Sequence, residues 1–121
     1  MADDVTEKII GAAIEVHRLL GPGLLESIYE QALCHELVIR GIGFKRQVPI
    51  DVIYKDLRIG GQRLDLLVEG QVVVEIKSLS SLPDVAEAQM LSYLKAANLK
   101  RGLLINFGAK LLVSGIKRYS L

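Results

Sequence analysis

The sequence has few of the residues that build disulfides and zinc clusters. Its 121 residues include one cysteine, Cys34, and two histidines, His17 and His35. One cysteine cannot form an internal disulfide, and three such side chains are too few for a four-ligand zinc site of thiolates and imidazoles. We therefore expect a protein of a reducing compartment, with Cys34 buried as a small apolar side chain and both histidines on helix surfaces.

Long apolar runs, a basic leader and a strong charge of one sign are also lacking. No run approaches the roughly 20 apolar residues of a membrane span, and the chain begins Met1-Ala2-Asp3-Asp4, which is acidic where a signal peptide is basic. The net charge is only +1, so global electrostatics do not favour a nucleic-acid or membrane partner. We expect a cytoplasmic protein whose charged binding surface, if it has one, is local.

What the sequence does have is a large share of hydrophobic residues. They make up 50% of the chain, and the mean hydropathy is +0.34. A chain of 121 residues with that share can build one core and leaves little room for a second. We expect a single folded domain over residues 1–121.

The hydrophobic spacing predicts a mixed order of helices and strands. Apolar residues recur three and four positions apart in some segments and two apart in others. Gly21-Pro22-Gly23 is expected to end the first helix, Gly60-Gly61 to interrupt the strands, and Asp84 with Glu87 to form a capping box. The predicted helices cover residues 4–20, 24–40 and 84–98, and the predicted strands cover residues 44–54, 57–59, the hairpin 63–78, 102–107 and a short last element at 113–119.

The hairpin RLDLLVEGQVVVEIKS, residues 63–78, carries charges in an apolar setting. Glu75 and Lys77 share one face of their strand because they are two residues apart. A three-residue tip at residues 69–71 would also place Asp65 directly opposite Glu75. A two-residue tip would shift the register by one and turn Asp65 to the other face.

Two interpretations of these charges remain open from spacing alone. If Asp65 and Glu75 are partly desolvated, a divalent metal such as Mg²⁺ would compensate them, and Lys77 could serve a water molecule or a developing charge beside it. Together with Arg63, the same residues could instead form an ion-pair ladder on a solvated sheet face, which contributes little.

A family resemblance favours the first interpretation. Asp65 followed by Glu75-Ile76-Lys77 on adjacent strands resembles the core of the PD-(D/E)xK nuclease superfamily. The octapeptide GLLESIYE contains Gly23, Glu26 and Tyr29, the signature of the GxxExxY family within that superfamily. The blocks RQVPIDVIYK, AQMLSYLK and GLLINFG are similar to other blocks of the same family, so the resemblance extends over nearly the whole chain.

The resemblance implies a fold and a metal site. The fold is an α/β restriction-endonuclease-like core of order αβββαβ, with a mixed central sheet flanked by helices and, in this chain, an extra N-terminal helix. Mg²⁺ or Mn²⁺ would bind Asp65, Glu75 and the backbone carbonyl of Ile76, and Lys77 would serve the attacking water. Glu26, from the first core helix, would be a further catalytic residue and metal ligand.

The resemblance also implies residues around the metal. Gln89 matches a catalytic position on the helix that follows the Glu-x-Lys strand, and Arg63, Tyr93 and Tyr29 would contact substrate. The tyrosines could instead be core aromatics with a polar tip, and the pairs on each helix could be ordinary helix surface. The family's aromatic residue before Arg63 is replaced here by Gln62, which affects substrate or partner contacts more than the metal site.

Two functions of different class follow from these residues. One is a metal-dependent nuclease that hydrolyses phosphodiester bonds in nucleic acid, with DNA favoured over RNA. The other is a catalytically silent module that binds nucleic acid or protein and keeps the nuclease fold. The small area available to a substrate favours a homodimer or a partner protein. Cations that could contact phosphates lie near the sheet and the third helix, at Lys45, Arg46, Lys55, Arg58, Arg63, Lys95, Lys100 and Arg101.

Overall fold

Helices cover both faces of a five-stranded mixed sheet in the computed structural model, which describes residues 4–121. The predicted α/β class is therefore confirmed. The helices are α1 (Asp4–Leu20), α2 (Glu26–Ile39) and α3 (Val85–Ala97), and the strands are β1 (Phe44–Tyr54), β2 (Leu57–Val68), β3 (Val72–Lys77), β4 (Arg101–Asn106) and β5 (Ile116–Ser120), with a 3₁₀ turn at Leu112–Gly115.

The strands lie in chain order across the sheet. All neighbours are antiparallel except β3 and β4, which are parallel and joined by a crossover through α3. The unit from α2 to β4 is the predicted αβββαβ core, α1 is the additional N-terminal helix, and β5 extends the sheet beyond β4. Because β3 is central and buried on both faces, its run of valines needs no polar alternation.

Two apolar layers sandwich the sheet. On the α1–α2 face, Leu66, Val74 and Ile76 pack against the first two helices. On the α3 face, Leu64, Val73 and Leu104 pack against the third helix. The side chain of Glu75 therefore belongs to the α3 face, since its neighbours Val74 and Ile76 point the other way.

The β2–β3 hairpin has the predicted three-residue tip. Leu66 pairs with Val74 and Val68 with Val72, which leaves residues 69–71 as the turn. The same register sets residue 65 opposite residue 75. The register prediction that decides the position of Asp65 is thus confirmed.

Several local predictions were wrong. Gly60-Gly61 does not interrupt the strands: β2 runs through both glycines, and a register shift against β1 near Asp51 absorbs the irregularity. Asp84 makes no side-chain capping bond to α3, because its backbone is already helical where a capping residue is normally extended. His17 is buried instead of exposed, and its Nε2 lies 2.8 Å from the carbonyl oxygen of Ala109.

Other local predictions held. Cys34 is buried and His35 is exposed on α2. The helix bounds are close to those predicted, although α2 begins at Glu26, two residues later than expected. Among the described residues no helix is both long and apolar enough to span a bilayer.

Candidate active site

Two carboxylates bridge β2 and β3 where the strands separate. The N–H of Asp65 donates to Oε2 of Glu75 at 2.9 Å, and the N–H of Ile76 donates to Oδ2 of Asp65 at 2.8 Å. The backbone ladder between these strands ends at Leu66 and Val74. Beyond that point, one backbone N–H of each strand donates to a carboxylate of the other strand. Both carboxylates are therefore fixed by backbone donors.

One oxygen of each carboxylate is left over. Within residues 4–121, Oδ1 of Asp65 and Oε1 of Glu75 accept no hydrogen bond, and no buried side-chain oxygen there lacks a partner. The two oxygens must therefore be open to solvent. They are a pair of anionic ligands at the mouth of the strand fork, held on rigid elements.

Burial makes this pair unfavourable as two anions. Glu75 is 7% exposed, and desolvation, followed by the charge of Asp65, raises its pKa to about 8. Desolvation also raises the pKa of Asp65, against the opposing effect of the Ile76 hydrogen bond. A divalent cation would remove the mutual repulsion and replace the lost hydration.

Lys77 supplies a positive charge near both carboxylates. It is half-buried at the end of β3, and its charge lowers the pKa of Asp65 and of Glu75. In the described part of the chain it makes no ion pair with either carboxylate, which leaves its ammonium group available. Its carbonyl accepts the N–H of Phe107 at 2.8 Å, so the backbone at Lys77 is fixed to the loop after β4.

Comparison with known families identifies the family to which the chain belongs. A family model of the PD-(D/E)XK nuclease superfamily matches residues 3–119. The chain belongs to the PD-(D/E)XK nuclease superfamily. No match was found among curated proteins or among solved structures. Membership indicates a nuclease-like function on nucleic acid, and nucleases of the superfamily typically use divalent metals.

The donors present fit Mg²⁺ or Mn²⁺ better than a metal that needs a full protein cage. Mg²⁺ is usually held by one or two carboxylates and keeps several waters. Two solvent-facing carboxylate oxygens on neighbouring strands meet that requirement. No three Asp, Glu, His or Cys side chains of residues 4–121 form a group that could hold a metal ion, so Glu26 does not complete a three-ligand set with Asp65 and Glu75.

Glu26 nevertheless lies on the same side as the pair. It is exposed at the first residue of α2, and its charge raises the pKa of Asp65. The hydroxyl of Ser78, just after β3, donates to the carbonyl of Leu24 at 2.5 Å. This bond ties the N-terminus of α2 to the end of the strand that carries Glu75 and Lys77.

Tyr29 is a structural residue in this fold. Its ring is fully buried and stacks on Phe107, with centroids 4.6 Å apart. Its hydroxyl donates to the carbonyl of Gly21 and accepts the N–H of Leu24 at 3.1 Å. Tyr29 therefore clamps the turn that starts α2 and is not accessible to a substrate, as the core-aromatic alternative predicted.

The remaining predicted residues surround the carboxylates at different depths. Tyr93 of α3 is half-buried, and the charges of Glu75 and Asp65 add to burial in raising its pKa, so its hydroxyl lies within their field. Gln89 is exposed one turn earlier on α3, and Arg63 is exposed on β2. For Gln89 and Arg63 the structure gives a surface position near the site's strands and helix but no contact with the carboxylates.

Asn106 is a site-supporting residue that sequence reasoning missed. It is buried at the end of β4, paired in register with Lys77. Its Oδ1 accepts the N–H groups of Leu79 and Gly108, and its Nδ2 donates to the carbonyl of Leu79. The only signal was an asparagine within the apolar run GLLINFG. Asn106 fixes the loop that follows Lys77.

Glu30 and its partners were also missed. Glu30 is buried on α2, where Arg46 and Gln47 of β1 bind its carboxylate. Its charge raises the pKa of both Asp65 and Glu75, so it lies near them. Its position four residues after Glu26, on the same helix face, was the available signal.

Proposed function

We propose that this protein is a metal-dependent nuclease that hydrolyses phosphodiester bonds in nucleic acid. The observation that carries the proposal is the crossed arrangement of Asp65 and Glu75, in which backbone donors fix one oxygen of each carboxylate and the other oxygens face solvent. Such preorganised anionic ligands are suited to Mg²⁺ or Mn²⁺. Both residues hold the metal, and the adjacent carbonyl of Ile76 is proposed as a third ligand.

The side chains of the site divide the chemistry between them. A bound divalent metal supplies Lewis acidity toward a phosphoryl oxygen and acidifies a water molecule. Lys77 orients or deprotonates the attacking water, or stabilises charge that develops on the phosphate. Glu26 extends the acidic site toward solvent and carries a further water contact.

Residues at the rim bind the substrate in this proposal. Gln89 is assigned a catalytic, water-positioning role, and Arg63 and Tyr93 contact the phosphate backbone. DNA is proposed over RNA as the substrate. The exposed cations around the sheet and α3 supply the local positive charge that the near-neutral chain lacks overall.

We further propose that the chain is a GxxExxY protein that works in the cytoplasm as a homodimer. The motif Gly23, Glu26 and Tyr29 supports the family assignment. The turn end of the β1–β2 hairpin, residues 52–59, supports self-association, because its apolar side chains are unusually exposed. These side chains are Val52, Ile53, Tyr54, Leu57 and Ile59. Light scattering of the wild type and of a variant with Ile53→Lys and Leu57→Lys tests the dimer, which the double variant should dissociate.

The second candidate is a catalytically silent binding module with the same fold. The observation that favours it is that Asp65 and Glu75 each already accept a backbone N–H at the fork between β2 and β3, which is a structural use of the pair that requires no metal. A module of this kind would bind nucleic acid or protein through the same exposed cations around the sheet and α3. It would need neither Lys77 nor a metal.

Calorimetric titration with Mn²⁺ and Mg²⁺ separates the two candidates. The nuclease proposal expects millimolar or tighter binding by the wild type and none by Glu75→Gln, which keeps the shape and removes the charge. Absence of binding by the wild type at millimolar metal would refute it.

A cleavage assay then tests the chemistry. Single-stranded, duplex and branched DNA and RNA are incubated with the wild type, Lys77→Ala and the matched control Lys110→Ala, whose lysine lies in the loop after β4. We expect cleavage by the wild type and by Lys110→Ala, and at least a hundredfold loss in Lys77→Ala, the scale of a general acid–base group. Equal activity in all three would indicate a contaminating nuclease.

A further inference from the structure

Glu30 is a buried carboxylate whose partners, within the described part of the chain, all lie on one short stretch of β1. It is 8% exposed. Its Oε2 accepts Nε and Nη2 of Arg46 at 3.1 and 2.8 Å, and Nε2 of Gln47 lies 3.0 and 3.2 Å from Oε1 and Oε2. A carboxylate buried beside two others is unfavourable unless it is well bound. This one is fully engaged and is therefore not free to serve as a ligand.

Gln47 has a backbone conformation that few side chains adopt. Its φ is 49°, in the left-handed region, although it lies within a strand. Its neighbours Arg46 and Val48 pair with Leu66 and Leu64, so Gln47 stands opposite Asp65. Residues 47 and 65 are missing from the ladder, which pairs residues 44–46 of β1 on one side of them and residues 48–50 on the other. The strain is thus located beside the first of the two carboxylates.

At this point the alternation of side chains between the two faces of the sheet is reversed. Leu64 packs on the α3 face, whereas Leu66 packs on the α1–α2 face, although residues two apart on a regular strand share a face. On β1, Phe44 packs toward the α1–α2 face and Val48 toward the α3 face. Both strands therefore reverse their faces together, at Gln47 and Asp65.

The reversal frees Asp65 from β1 and directs it to β3. Its N–H donates to Glu75, and its carboxylate accepts from Ile76, both on β3. In a regular β1–β2 ladder, Leu64 and Leu66 would share one face of the sheet and Asp65 would point to the other. The Asp65 carboxylate would then lose its hydrogen-bonded position against β3. Strained backbone of this kind persists at functional sites where surrounding bonds enforce it.

We propose that Glu30 is a positioning residue that, through Arg46 and Gln47, holds the backbone of Gln47 in its left-handed conformation and so sets the Asp65 carboxylate against Glu75. Glu30 acts through β1 and does not itself touch metal or substrate. Because the proposal rests on the metal-binding function proposed above, its test includes a readout that needs no metal.

The metal-free readout is hydrogen exchange of single backbone amides, followed by NMR. In Glu30→Gln and Gln47→Ala we expect protection to fall at least about tenfold at the N–H groups of Asp65 and Ile76, which donate to the two carboxylates. Protection of the central β4 amides should stay unchanged. The matched controls are Glu36→Gln and Gln31→Ala on the same helix. Among residues 4–121, Glu36 pairs only with Arg40, and Gln31 donates only to a carbonyl of its own helix.

The second readout is the Kd for Mn²⁺. Loss of a residue that orients a metal ligand typically weakens metal binding about 10- to 100-fold, and we expect that range for Glu30→Gln and Gln47→Ala, with no change in either control. Gln47→Gly separates positioning from stability. Glycine tolerates positive φ, so this variant lacks the backbone strain that Gln47→Ala keeps and should fold, while it binds Mn²⁺ at least about tenfold more weakly than the wild type.

Two results would overturn the positioning role. One is wild-type protection of Asp65 and Ile76 in Glu30→Gln and Gln47→Ala. The other is an unchanged Mn²⁺ Kd in folded Gln47→Gly when the wild type binds the metal. If the wild type binds no metal, the proposed nuclease function fails while the exchange readout still decides the role of Glu30. If Glu30→Gln does not fold, Gln47→Gly carries both measurements.

Discussion

Asp65 and Glu75 hold each other across the fork between β2 and β3. The N–H of Asp65 donates to the Glu75 carboxylate at 2.9 Å, and the Asp65 carboxylate accepts the next N–H of β3 at 2.8 Å. The pair is therefore part of the sheet's own hydrogen bonding. Its geometry is maintained by backbone donors, and its two free oxygens are set before any ligand arrives.

The stability of the metal-free protein should depend on pH through this pair. Glu75 has a pKa of about 8 in the folded chain, well above its value in an unfolded chain, so the folded state keeps a proton that the unfolded state has lost. The free energy of unfolding should be highest in mild acid and fall as the pH rises through about 8. The raised pKa of Asp65 acts with the same sign.

Urea unfolding in EDTA between pH 5 and 9 measures this dependence. In Glu75→Gln the decrease toward alkaline pH should be much reduced, because no proton is lost at that position. A wild-type midpoint that stays constant or rises over the same range would contradict the assignment of a raised pKa to Glu75.

Metal binding should displace a proton at neutral pH. Ligand carboxylates must be deprotonated to bind a cation, so Mn²⁺ binding at pH 7 should release about one proton per site, and the affinity should rise up to about pH 8. Calorimetric titration in buffers of different ionisation enthalpy measures the number of protons released. Binding without proton release would mean that Glu75 is already ionised or is not a ligand.

The hydroxyl of Tyr29 should contribute to stability apart from its ring. In Tyr29→Phe the ring still stacks on Phe107, while the carbonyl of Gly21 and the N–H of Leu24 lose their partner. We expect a loss of about 1–3 kcal/mol in the free energy of unfolding. Tyr54→Phe is the matched control, since that ring is 60% exposed, and it should change stability by less than about 0.5 kcal/mol. Equal effects in the two variants would contradict the clamp.

Asn106 should be needed for the loop after β3. Asn106→Ala leaves both backbone groups of Leu79 and the N–H of Gly108 without their side-chain partner. We expect a loss of about 2–4 kcal/mol in the free energy of unfolding, as these three partly buried backbone groups lose their partner. Asn106→Asp keeps the acceptor and loses the donor, so it should lie between alanine and the wild type. Denaturant unfolding of the three proteins gives the order, and a neutral alanine variant would show that water replaces the side chain.

The spacing of apolar residues was sufficient to predict most of the fold. Period-2 and period-3.6 patterns gave the helices and most of the strands, because burial on one or two faces constrains residue type at every position. The capping box at Asp84 and the break at Gly60-Gly61 failed for a local reason: both depend on backbone angles of one or two residues, which the surrounding sheet and helix decide. His17 failed because its partner, the carbonyl of Ala109, lies 92 residues away.

By itself, the sequence determined the position of the candidate site on the β2–β3 hairpin, since a three-residue tip fixes which residues face each other and a charge in an apolar strand stands out. Only the tertiary structure decided that Tyr29 is a buried clamp, that Asn106 fixes the loop after Lys77, and that Glu30 binds a strained Gln47 that lies opposite Asp65. Each of these depends on contacts between segments distant in the chain, which residue spacing does not encode. The face reversal at Asp65 could not be predicted from spacing for the same reason, because it involves two strands and a helix together.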